Sequence, residues 1–280
     1  MKIIIAKNSG FCAGVKHTID EAKKILKNNH KVYSLGEIVH NEEVVKELEK
    51  LGMITVNSIE EIPDNSKVIF RAHGEALKVY EIAKNKNLEV YDLTCGKIKL
   101  IHKQIMEVKD TFVIIIAKKT HPETIGTMGH TDDAFIVEDI SDIDNCYKEY
   151  LKSNKKNVYL LSQTTFSSDK FDELVKIIKE KFDDANIIVN KSICNATANR
   201  QKEVVELAKK VDIMLIVGGI NSSNTKELYN LAVKYAKVAY QIQNEHDLPL
   251  TIDKDKVVGI MAGASTNNTT VSRIVEKLNN

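Results

Sequence analysis

Short runs of Val, Ile and Leu alternate along almost the whole chain with longer segments whose apolar residues recur at helical spacing. The runs predict strands at 2–6, 31–34, 67–70, 88–92, 111–116, 134–137, 157–161, 186–189, 212–217, 238–241 and 257–261. Strands that alternate with helical segments point to an α/β class, a largely parallel sheet structure with crossover helices. Most of the runs are followed within a few residues by a polar residue with ligand or hydrogen-bonding chemistry, which is where parallel sheets bind ligands.

Those polar residues form a threefold series. Cys12, Cys95 and Cys194 stand 83 and 99 residues apart, each in a polar loop between a strand-like run and a helix-like run. Each cysteine is followed 26 to 28 residues later by His40, His121 or Ser222, and 61 to 71 residues later by His73, Thr164 or Ser265. The period is too long for a solenoid of short units, so three similar α/β subdomains in a closed pseudo-threefold trefoil are expected, at 1–96, 97–193 and 194–280. The plain alternative is that any α/β chain places polar residues in its βα loops.

Composition narrows the chemistry. With 40 basic and 39 acidic side chains, no global field points to nucleic acid or an anionic membrane surface. Neither a secretory signal nor an apolar span of about 20 residues is present, so a cytoplasmic protein is expected. Four dispersed cysteines in that compartment argue for metal binding or catalysis rather than disulfides, and no CxxC pair supports a zinc ribbon. Cys146, in Asp144-Asn145-Cys146-Tyr147, lacks the Gly and Thr neighbours of the other three and reads as structural.

Each of the three cysteines precedes a helical segment; the one after Cys12 is predicted at about 15–27. A helix start favours a thiolate, and three thiolates without a clear fourth suit an iron–sulfur cluster with an open iron or a zinc with an open position. For any single one, a lone buried cysteine is the simpler reading. His73 in Arg71-Ala72-His73-Gly74 and His121 in His121-Pro122-Glu123 directly follow apolar strands, and Glu123 beside an imidazole is a candidate proton donor. His17, His30, His102, His130 and His246 lack that setting and read as surface or structural. Gly218-Gly219-Ile220-Asn221-Ser222-Ser223-Asn224 ends a strong strand and opens a helix near Thr225, a neutral phosphate cradle or, more plainly, an N-cap cluster. Ala262-Gly263-Ala264-Ser265 repeats the arrangement.

Taken together, Cys12-Ala13-Gly14-Val15, Ala72-His73-Gly74, Asp92-Leu93-Thr94-Cys95, His121-Pro122-Glu123, Gly126-Thr127-Met128-Gly129, Gln163-Thr164-Thr165, Asn199-Arg200-Gln201, Asn221-Ser222-Ser223-Asn224 and Ala262-Gly263-Ala264-Ser265 resemble the 4-hydroxy-3-methylbut-2-enyl diphosphate reductase family, also called LytB. The resemblance is colinear over about 3–278. It implies three lobes around a [4Fe-4S] cluster held by Cys12, Cys95 and Cys194, with an open fourth iron for the substrate hydroxyl oxygen. It further implies diphosphate binding by His40, His73, Ser222, Ser223, Asn224 and Ser265, with His121 lining that pocket, Thr164 at the hydroxyl end and Glu123 supplying the proton. The implied reaction is two-electron reductive dehydroxylation to isopentenyl and dimethylallyl diphosphate, the last step of the methylerythritol phosphate route, with ferredoxin or flavodoxin as donor. Gly96 departs from the family pattern, standing where a proline usually follows the second cysteine.

Two other readings compete. A quinolinate-synthase-like iron–sulfur dehydratase would share the cluster but act on a carboxylate, for which loops of Ser, Asn and His and only three arginines are poorly suited. A non-catalytic metal-binding redox sensor needs the cysteines but not Glu123, Thr164 or Ser265.

Overall fold

The computed structural model describes residues 1–249 and 251–280. Among these, twelve strands form three four-stranded sheets in which every strand pair is parallel. One sheet runs β3 (Met53–Val56), β2 (Val32–Leu35), β4 (Lys67–Phe70), β5 (Glu89–Asp92). The next runs β7 (Ala134–Val137), β6 (Thr111–Ile116), β8 (Asn157–Ser162), β9 (Asn186–Asn190). The last runs β11 (Val238–Ile242), β10 (Ile213–Val217), β12 (Val257–Ala262), β1 (Lys2–Ile5).

All three sheets share one order, second strand, first, third, fourth, provided that the chain's opening strand is counted as the fourth strand of the last sheet. Lys2–Ile5 pairs with 257–260, so β1 belongs with the strands at the far end of the sequence and not with those that follow it. This topology sharpens the threefold series. His40, His121 and Ser222 follow the first strand of each sheet; His73, Thr164 and Ser265 follow the third; Cys95, Cys194 and Cys12 follow the fourth. A cysteine therefore closes each repeat, whereas sequence spacing makes it the opening residue.

Strand β3 has no counterpart among the predicted strands. It is a four-residue edge strand, half-exposed, that follows Gly52 at the end of helix α2 (Glu42–Lys50), so it carries neither a long apolar run nor a clean alternation.

By packing, the chain divides into two compact units. The first holds Met1–His17, Val39–Glu47 and Cys194–Asn280, and with them the sheet of β10, β11, β12 and β1. The second holds Thr18–Ile38 and Leu48–Ile193, with the other two sheets. In the first unit, Met214 and Ile216 face one apolar cluster with Val204 and Leu228, while Leu215 and Val217 face another with Val271 and Ile274. Both sheet faces are thus covered, which is why β10 reads as one unbroken apolar run. In the second unit, Phe70, Val68 and Leu35 pack with Ile62 and Ala83, and Val113, Ile115 and Leu161 pack with Ile101 and Ile105. Rigid strands on packed cores present their C-terminal loops as fixed platforms.

Candidate functional site

In the second unit, β6 ends in a turn whose His121 caps helix α5 (Pro122–Met128), its imidazole Nδ1 accepting the Glu123 N–H at 3.2 Å. Pro122 at the first helical position has no N–H to leave unpaired and holds its φ ready for the helix. Glu123 then points at the loop after β8. Thr164 donates its backbone N–H to one carboxylate oxygen at 2.6 Å and its hydroxyl to the other at 2.7 Å. Burial pushes the Glu123 carboxyl up to about 7, against the pull of those two hydrogen bonds. A buried carboxyl poised near neutrality is suited to hand over a proton.

The His73 ring meets His121 edge to face, with centroids 5.3 Å apart and planes at 88°. Beside it, the Cys95 N–H donates to Ala72 O at 3.0 Å, tying the cysteine loop to the residue before His73. Asp92 accepts the Thr94 N–H at 2.9 Å and braces the same loop, so Cys95 emerges as the N-cap of helix α4 (Gly96–Glu107). Gly96, the departure from the family pattern, is the first residue of that helix, and a side chain there would meet nothing.

In the first unit, the Cys12 loop is stitched to the strand end of β12. Gly10 N–H donates to Ala262 O at 3.3 Å and Cys12 N–H to Ala264 O at 3.1 Å. Cys12 stands directly before helix α1 (Ala13–Asn28) and its Sγ accepts the Val15 N–H at 3.4 Å; Cys194 is the N-cap of helix α8 (Asn195–Ala208). Arg200, on α8, is buried and donates to Gly10 O at 2.6 Å and Ala196 O at 2.8 Å. Burial lowers the pKa of its guanidinium, and the charges of Cys12 and Cys194 oppose that shift.

The same unit carries the cradle of polar loops. Ser222 caps helix α9 (Ser223–Tyr235), accepting the Thr225 N–H at 3.3 Å, and Ser223 and Asn224 fill its first turn. Asn224 is 4% exposed, yet neither atom of its side-chain amide has a hydrogen-bond partner. Leaving a buried amide unpaired costs about 1–3 kcal/mol, so both of its atoms are available to a bound polar group. A Cβ on Gly219 would strike the His40 carbonyl, and Asn41 donates to Ser265 O at 2.8 Å, so the His40 loop lies directly on the Ser222 and Ser265 loops.

The residues singled out from sequence therefore gather in two groups. His73, Cys95, His121, Glu123 and Thr164 lie in one unit; Cys12, His40, Cys194, Ser222, Ser223, Asn224 and Ser265 lie in the other. None of the four cysteines is in a disulfide, and Cys146 is set apart, fully buried with its thiol pushed up to about 12 by burial. Arg200 was not among the predicted site residues; an arginine six positions after a helix-capping cysteine was its available signal. Among the described residues no helix is long and apolar enough to cross a membrane.

The model of the family described as LytB protein matches residues 3–279. The 4-hydroxy-3-methylbut-2-enyl diphosphate reductases of Clostridioides difficile and Petrotoga mobilis are 36% and 34% identical, over 100% and 99% of this chain and 100% and 97% of theirs. The Fusobacterium nucleatum protein of that name is 37% identical over 99% of this chain, which spans 34% of its length. Among solved structures, the E-1-hydroxy-2-methyl-but-2-enyl-4-diphosphate reductase from Plasmodium falciparum superposes with a TM-score of 0.90 at 32% identity, covering 100% of this chain and 88% of that one. A (E)-4-hydroxy-3-methyl-but-2-enyl diphosphate reductase, described as the terminal enzyme of the non-mevalonate pathway, gives 0.71 at 33% identity, covering 100% and 99%. The chain belongs to the LytB protein family.

Proposed function

We propose that this chain is a 4-hydroxy-3-methylbut-2-enyl diphosphate reductase, removing the allylic hydroxyl of its substrate to give isopentenyl and dimethylallyl diphosphate. The allylic C–O bond breaks, two electrons and two protons enter, one C–H bond forms and water leaves. The Glu123–Thr164 pair is the observation that carries this reading. A carboxyl that is still protonated near neutral pH, locked by two hydrogen bonds at a strand end, is what a leaving hydroxyl requires.

The donor set fits an iron–sulfur cluster. Three thiols occupy equivalent places after the fourth strand of each sheet, each at a helix start, and Arg200 offsets the charge of two of them. Cys12, Cys95 and Cys194 would hold a [4Fe-4S] cluster with its fourth iron open, which supplies the two electrons one at a time from a ferredoxin- or flavodoxin-class carrier. The protein's own residues do the rest. Asn224, Ser222, Ser223, Ser265, His40 and His73 bind the diphosphate, spending remote binding energy on orientation of the reacting end. His121 lines the same pocket and caps the helix that aims Glu123, and Thr164 orients the hydroxyl against the acid.

A redox sensor has no use for a buried proton donor or for a partnerless Asn224 amide. The reading includes a cytoplasmic site of action, where thiols that are to ligate a cluster are kept reduced. The reading is tested by reconstituting the protein anaerobically, adding a low-potential reductant and hydroxymethylbutenyl diphosphate, and separating products. Formation of both isomers supports it; cluster-loaded protein that leaves the substrate untouched refutes it.

A further inference from the structure

Beneath the second unit's site lies a pair of histidines that the proposed chemistry does not use. His102 and His130 stack with ring centroids 3.9 Å apart and planes 26° from parallel, and both are buried. His102 sits on α4, about two turns after Cys95. Its Nε2 lies 3.3 Å from the hydroxyl of Thr127, on the helix that carries Glu123. Its Cε1 would stand 2.6 Å from a Cβ on Gly74, so the ring fills the space that glycine leaves beside His73. His130 Nε2 lies 3.0 Å from Glu75 O in the same loop.

Helix α5 needs such support. At seven residues it is too short to hold its own shape, so its pose is imposed by what it packs against. One such contact is the loop itself: a Cβ on Gly126 would meet Gly74 O at 2.6 Å, and Leu77 N–H donates to Gly129 O at 3.3 Å. The motif Gly126-Thr127-Met128-Gly129 is thus the face by which Glu123's helix lies on His73's loop. His102 touches both partners from a third element, the one that begins at Cys95.

We propose that His102 is a positioning residue which, stacked on His130, holds the His73 loop, the Glu123 helix and the Cys95 helix in one register. Burial, and secondarily the neighbouring His130, push His102 down to about 4, and burial also lowers His130, so a neutral stack without repulsion is favoured. The inference rests on the reductase reading for its catalytic readout, and has a second readout that does not.

His102→Leu removes the stack and the Thr127 contact at similar volume. Its kcat per spectroscopically counted cluster is expected to fall roughly tenfold or more, because displacement of a proton donor by about 1 Å is enough for such a loss. Its affinity for inorganic pyrophosphate, measured by calorimetry, is expected to weaken about threefold or more through the His73 loop. His102→Phe, which keeps a ring against His130 and Gly74, should restore most of both. A purely structural histidine would lower Tm alone. A His102→Leu protein with kcat per cluster and pyrophosphate Kd within about twofold of wild type overturns the proposal. Should that variant not fold, Thr127→Val carries the test, with a several-fold loss of kcat per cluster in the folded protein expected and unchanged kcat overturning it. Wild-type protein that forms no product counts against the reductase reading, and the pyrophosphate measurement then decides the role of His102 alone.

Discussion

Thr164 gives the Glu123 carboxylate two hydrogen bonds, N–H to one oxygen at 2.6 Å and hydroxyl to the other at 2.7 Å, and burial still raises the carboxyl to about 7. The carboxyl is buried and holds its proton up to near-neutral pH, where most carboxylates are charged.

The rate should therefore follow that proton. With Glu123 as donor, kcat falls as pH rises through about 7, and in Glu123→Gln the limb disappears and kcat drops by roughly 10²- to 10⁴-fold. Stability follows the same titration with a definite sign. Between the ordinary carboxylate value of 4.5 and about 7 the folded protein holds a proton that the unfolded chain has lost, so stability falls as pH rises across that window and levels off above it. Thermal melts at pH 5 and pH 8 should show a smaller drop for Glu123→Gln than for wild type.

Asn224→Ala separates binding from folding. Its buried amide has no partner in the protein, so truncation should leave Tm unchanged or slightly higher while KM for the diphosphate substrate rises about tenfold or more. A large Tm loss with unchanged KM would show that the amide serves the fold.

Replacing Cys12, Cys95 or Cys194 by Ser should each abolish the reconstituted cluster absorbance and most of the bound iron. Cys146→Ala should keep both, because its thiol is fully buried, pushed up to about 12 and unsuited to ligation at neutral pH. Iron analysis alongside the visible spectrum reads the difference.

Gly96→Pro should stabilise the protein. Gly96 opens α4 with empty space around it, and Cys95 before it, at φ −55°, ψ 134°, is outside the α region that a following proline disfavours. Reduced freedom of the unfolded chain is worth about 0.4–1 kcal/mol, or about 1–4 °C in Tm, with activity unchanged.

Much of this was legible in the chain. Both faces of the central strands are covered, so β6 and β10 appear as plain apolar runs and the polar residues after them mark the loops that matter. Three features were hidden by their physics. The parallel partner of β1 is more than 250 residues away, and a pairing at that distance leaves no local pattern. Strand β3 is a short, half-exposed edge whose four residues satisfy no period. His102, His130 and Arg200 act through tertiary contacts: a buried histidine on an amphipathic helix looks the same in sequence whether it fills a core or braces a site.

The new hydrogen of the product comes from solvent by way of Glu123, and its origin can be measured. Reduced, cluster-loaded protein is mixed with hydroxymethylbutenyl diphosphate in D2O and the products are examined by NMR and mass spectrometry. The expected products are isopentenyl and dimethylallyl diphosphate, each carrying one solvent-derived deuterium at the carbon skeleton, formed far more slowly by Glu123→Gln. Unchanged substrate, or a deoxygenated product with no solvent deuterium, would contradict it.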